Sequence, residues 1–251
     1  MATEVETHAP EVEKASVLYS VYRSVINQYA LYTLFPMAAT TIGMAIASVQ
    51  HGWDWTLWAV GVFHFWLLDE GMKSVDLSAD DINLQINSDI QFAIGAGMIL
   101  AGFGVGIVLA LMTTIWYIGW ILLLILLGLA YNLEWFGGRL HDRKYVTGWG
   151  NLAFCLGWGC TVSGYIYLAE EISLGIALFA IGPMMMIGTM AWVEEDMKDM
   201  LYDMKDIKHV RETPTDVERI KYRALTGQLY RLFGTVMIAI GLVVEFGHLS
   251  L

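Results

Sequence analysis

The sequence predicts an all-α protein, a polytopic membrane bundle of about seven transmembrane helices. Three observations carry that prediction. Hydrophobic residues make up 57% of the 251 and charged residues only 16%, giving a mean hydropathy of +0.54. The apolar residues come in blocks rather than in amphipathic stripes, and a hydrocarbon core of about 30 Å needs roughly 20 of them per helix. Finally, the lysines and arginines all fall on one side of the blocks.

Taken in order, residues 1–20 form an acidic, polar tail, expected to be disordered and lacking the basic-then-apolar pattern of a cleavable signal. Residues 21–251 then read as one domain. Its expected spans are 28–50, 53–69, 90–113, 115–132, 147–169, 172–194 and 229–250, the second and fourth being short. Small residues such as Gly43, Gly95, Gly102, Gly106, Gly157 and Gly182 recur within them, where they let helices approach closely. The fifth span holds both cysteines, Cys155 and Cys160; at i, i+5 of an α-helix they do not face each other and read as packing residues. His64, in the second span, reads either as a neutral hydrogen-bonded bundle residue or as a ligand. Met184-Met185-Met186 suits packing, and Glu245 and His248 an interface. Between the sixth and seventh spans, the chain is expected to extend as a helix, break near Pro214 and resume toward Arg231.

This partition places all 14 basic residues on one face. Lys14 and Arg23 precede the first span, Lys73 follows the second, and Arg139, Arg143 and Lys144 follow the fourth; the rest run from Lys198 to Arg231. Orientation follows Lys and Arg rather than net charge. The N-terminus and the acidic loops are therefore expected in the cytoplasm, in an integral protein of the cell membrane, despite a net charge of −11. No nucleic-acid partner is expected.

The same face collects the acids. Asp69-Glu70-Gly71 ends the second span and leads through Lys73, Asp76, Asp80 and Asp81, read as a loop. After the sixth span comes Glu195-Asp196-Met197-Lys198-Asp199-Met200-Leu201-Tyr202-Asp203. On a helix Glu195, Asp199 and Asp203 stack, and like charges at that spacing cost roughly 0.2–0.5 kcal/mol per pair. Two readings remain open. Lys198, Lys205 and Lys208 pair with these acids on a solvated helix, or carboxylates from two helix ends share Mg²⁺, which favours hard oxygen ligands. In the second reading Arg23, Lys73, Arg139 or Arg143 neutralises a diphosphate, and Gly137-Gly138 lets backbone N–H groups approach its oxygens.

These residues resemble the UbiA-type intramembrane prenyltransferases over nearly the whole chain. That family carries aspartate-rich motifs after its second and sixth spans, the latter usually Asn-Asp-x-x-Asp-x-x-x-Asp. Asp196, Asp199 and Asp203 match it, with Glu195 in place of the asparagine. Tyr131 and Arg139 suit the family's loop after the fourth span. The run from Tyr131 to His141, with His64, Leu68-Asp69-Glu70 and Gly71, is similar to a divergent UbiA-like branch. The departures are Lys73 where a second aspartate of the first motif normally stands, and two final spans fewer than the usual nine. A partner subunit completing the bundle is one consequence.

The resemblance implies a UbiA-like fold and transfer of a prenyl group from a polyprenyl diphosphate to a lipophilic or aromatic acceptor, assisted by Mg²⁺. It implies Asp69, Asp199 and Tyr131 as catalytic and Asp69, Glu70, Asp196, Asp199 and Asp203 as metal ligands. Arg23, Lys73, Arg139 and His141 would bind substrate. The alternative it leaves is a non-catalytic UbiA-like membrane protein that binds isoprenoid lipid or a partner subunit.

Overall fold

A computed structural model describes residues 30–79, 88–141, 146–189 and 214–247. Among them the chain is helical, with no strand. The helices are α1 (Ala30–His51), α2 (Trp55–Ala79), α3 (Ser88–Met112), α4 (Tyr117–Asn132), α5 (Val146–Ala153), α6 (Cys160–Ala169), α7 (Leu174–Phe179) and α8 (Pro214–Phe246). A π-helical turn, Phe154–Gly159, joins α5 to α6, and helix resumes over residues 181–189 after a turn at Ala180. Among the described residues three stretches are long and apolar enough to cross a membrane: Ser88–Met112, Gly150–Ala169 and Leu229–Phe246. Tyr117–Asn132 and Leu174–Thr189 are apolar but shorter. The tail over residues 1–20, Arg23 and the run from Glu195 to Asp203 lie outside the described residues.

Helices occupy the apolar blocks, but two expectations need correcting. The second helix does not end at Asp69; α2 continues to Ala79, so Asp69, Glu70, Lys73 and Asp76 are helical rather than part of a loop. No proline interrupts this run, Lys73 pairs with Asp69 one turn back, and Gly71 packs on α3. The second correction concerns the cysteines. The π turn widens the repeat toward five residues, so Cys160 lies over Cys155 and its thiol donates to the Cys155 carbonyl at 3.2 Å. Both thiols are free. Pro214 stands at the first position of α8, where its missing N–H costs no helical bond.

Backbone-to-backbone crossings set the packing. A Cβ on Gly43 would fall 1.9 Å from the Thr161 carbonyl oxygen, and one on Gly164 would fall 2.0 Å from that of Thr40, so α1 and α6 meet through paired glycines. Gly71 and Gly95 do the same for α2 and α3, each blocking a Cβ on the other at under 3 Å. Such small-residue contacts replace the hydrophobic drive that lipid removes. The threonines at the α1–α6 crossing turn their hydroxyls back on their own helices, Thr40 to the Pro36 carbonyl and Thr161 to that of Gly157. Indole N–H groups tie helices further: Trp58 donates to Thr41, Trp120 to Ser163 and Trp158 to the Ala177 carbonyl.

The ends of the bundle differ. At one end short connections carry Trp53, Trp55 and Trp58 in mutual ring contact, and Asp54 caps α2 by accepting from the Thr56 and Leu57 amides at 2.7 and 3.0 Å. At the other end lie the acidic part of α2 and the turn after α4.

Candidate functional site

Charged groups inside an apolar bundle are costly and therefore informative. On α2, Asp69 and Glu70 are 7% and 2% exposed, and Lys73 is 18% exposed. The lysine ammonium donates to Asp69 Oδ2 at 2.5 Å and lies 3.7 Å from Glu70 Oε1. Helical spacing produces this arrangement, since residues three and four apart share a face. The Gly71–Gly95 crossing presses this part of α2 against α3, where Gln91 and Ser74 are fully buried. Ser74 Oγ has no hydrogen-bond partner among the described residues.

Met72 packs over Gly128 of α4, bringing the next turn of α4, with Tyr131, to the same end. Tyr131 is buried and its ring lies 4.7 Å from that of His141. His141 Nδ1 donates to the Tyr131 carbonyl at 3.0 Å, and its Nε2 is 3.9 Å from Glu134. The turn between them takes Glu134, Phe136, Gly137 and Gly138 into the left-handed region, with φ of 50°, 61°, 68° and 75°. Left-handed backbone suits the glycines and strains Phe136. Arg139 is exposed on this turn.

Of the residues singled out from sequence, the fold thus assembles Asp69, Glu70 and Lys73 in one cluster and Tyr131 and His141 in another, both at the same end. Asp196, Asp199, Asp203 and Arg23 lie outside the described residues. Among the described residues no three His, Cys, Asp or Glu side chains come together to hold a metal ion. Asp69 and Glu70 are hard oxygen donors of the kind Mg²⁺ takes, but the cation beside them is Lys73. These two carboxylates do not by themselves build a Mg²⁺ cage.

Two polar clusters went unread in the sequence. His64 is fully buried; its Nδ1 donates to the Gly102 carbonyl at 2.8 Å, leaving Nε2 to accept from Tyr117 at 3.4 Å. Tyr167 in turn donates to Tyr117 at 2.9 Å. Gly106 leaves room for the imidazole and Gly61 for the Tyr167 ring. His64 is therefore a hydrogen-bonded bundle residue, and its partners were hidden because isolated tyrosines in apolar runs look like packing. Near the opposite end Glu245, expected at the membrane interface, is 6% exposed. It accepts from Tyr165 at 2.5 Å and from Ser173, against Gly175. Neither cluster touches the acids of α2 through any bond described above.

Comparison of the chain with protein-family models, with curated proteins and with solved structures gave no match.

Proposed function

We propose that the chain is a UbiA-like membrane prenyltransferase of about seven transmembrane helices, acting on a polyprenyl diphosphate. The observation that carries this reading is the buried Asp69–Glu70–Lys73 cluster at one end of an apolar bundle. Ionisable groups at such a position rarely persist for packing alone. The resemblance in sequence supplies the rest: an aspartate triad after the sixth span and Tyr131 with Arg139 after the fourth.

In this reading the C–O bond between the allylic carbon and the diphosphate breaks. The electron pair leaves with the diphosphate, and a nucleophilic acceptor bonds to the carbon and loses a proton. Lys73, Arg139 and Arg23 bind the anionic head, Tyr131 faces the reacting end, and His141 holds the turn that carries Arg139. Asp69 and Glu70, together with Asp196, Asp199 and Asp203, would hold Mg²⁺, which would supply charge to stabilise the leaving group. Asp199→Asn and Asp69→Asn should each abolish Mg²⁺-dependent diphosphate release from a geranylgeranyl-type diphosphate with a lipophilic acceptor mixture. Release unaffected by Asp199→Asn would remove the assignment.

A second reading rests on Lys73. Its ammonium at 2.5 Å from Asp69 already supplies the positive charge that a metal would bring to this carboxylate. A non-catalytic relative that binds isoprenoid lipid or a partner subunit suits that balance. It predicts lipid binding indifferent to Mg²⁺ and no release of diphosphate.

A further inference from the structure

The turn after α4 has a property that substrate binding does not account for. Helix α4 has 16 residues, about 24 Å at 1.5 Å per residue, against a hydrocarbon core of about 30 Å. Ile115 and Trp116, exposed apolar residues just before it, mark its other end. A bilayer that begins there still surrounds the chain where α4 stops. The residues that follow meet the demands of that depth in two ways.

Three of their side chains are apolar and turned outward, Leu133 37% exposed, Trp135 39% and Phe136 74%, with Glu134 between them 67% exposed. Part of their backbone is bonded within the turn. The Leu133 amide donates to Leu129, that of Glu134 to Tyr131 and that of Trp135 to Ala130, while Gly138 donates to Glu134 and His141 to Gly138. Irregular backbone is kept out of the hydrocarbon core unless protein or water satisfies it, which puts this turn at the boundary of the core rather than within it. The left-handed conformation at Phe136 is an unfavourable one for a bulky residue, and the His141–Tyr131 clamp holds the turn in the shape that exposes it.

We propose that Leu133, Trp135 and Phe136 form an aromatic anchor that sits in the boundary between headgroups and acyl chains of the membrane leaflet, completing the short span of α4. Tryptophan and phenylalanine suit this layer, an indole placing its ring in the acyl edge and its N–H toward water. The anchor holds whether or not the neighbouring cluster binds a diphosphate.

The test uses the full chain in phosphatidylcholine vesicles with and without lipids brominated near the top of the acyl chain. The emission component lost on Trp135→Phe is expected to be blue-shifted from that of tryptophan in water and quenched by the bromines. The component gained on Phe136→Trp should behave alike, and it provides the readout should Trp135→Phe fail to fold. Components that emit as water-exposed tryptophan and escape quenching would overturn the proposal, including in favour of a turn that projects into solvent or docks on a protein.

Discussion

Lys73 decides how the charged end of α2 is read. It sets one positive charge beside two carboxylates that the bundle hides from water, so its loss leaves like charges on adjacent residues with less compensation. Lys73→Met should destabilise the protein in detergent by about 1–3 kcal/mol, the range for losing a charged hydrogen bond at a partly buried site. Asp69→Asn in the same chain should recover part of that loss, a coupling that a double-mutant cycle on thermal unfolding would measure. His64 makes a similar case without net charge. His64→Phe removes the bonds to the Gly102 carbonyl and the Tyr117 hydroxyl, leaving the latter only Tyr167, and a loss of about 1–3 kcal/mol should follow; unchanged thermal stability would mean the network carries no weight. Asp69 and Glu70 could be singled out in sequence because charge stands out after an apolar run. Tyr117 and Tyr167 could not, since nothing in a string of apolar letters marks which tyrosine hydroxyl will meet another across helices.

For the helices themselves, hydropathy located the elements well and their ends poorly. The apolar block of α2 stops near Asp69, whereas helix is described as far as Ala79. Hydropathy measures what lipid accepts, while the helix persists as long as i, i+4 pairs such as Asp69–Lys73 support it. The π turn was invisible for a related reason: judging Cys155 and Cys160 assumes 3.6 residues per turn, and the repeat there is longer. The glycine crossings are the most demanding feature at this scale. Gly43→Val would drive a side chain into the Thr161 carbonyl, so α1 and α6 must separate, with a cost of about 1–3 kcal/mol or more and a lowered unfolding temperature. An unaltered Gly43→Val protein would show that the crossing is looser than the geometry requires. Glu245 fastens α8 to the bundle through Tyr165 and Ser173. Glu245→Leu should speed proteolytic removal of α8 relative to Glu245→Gln, which keeps an acceptor for one hydroxyl and offers a donor to the other.

The molecule as a whole separates its two polar ends by chemistry. One end carries tryptophans and short connections; the other carries the acids of α2 and the turn after α4. On the seven-span reading of the sequence every basic residue falls on the side of that second end, which the positive-inside rule would put in the cytoplasm. A cysteine placed at Lys144 should therefore be shielded from an impermeant maleimide in intact cells and one at Gly52 labelled; the reverse pattern would invert the topology. Placing the proposed diphosphate site at the cytoplasmic end gives it access to a water-soluble leaving group, with the apolar bundle beside it for the tail.

The measurement that bears most directly on this account is equilibrium binding of a labelled geranylgeranyl-type diphosphate to the purified protein in detergent, with Mg²⁺ and with EDTA, wild type beside Asp199→Asn. Binding that requires both Mg²⁺ and Asp199 is the predicted result. Binding indifferent to both, or none with any prenyl chain length, would contradict it and leave a membrane bundle whose buried charges serve another purpose.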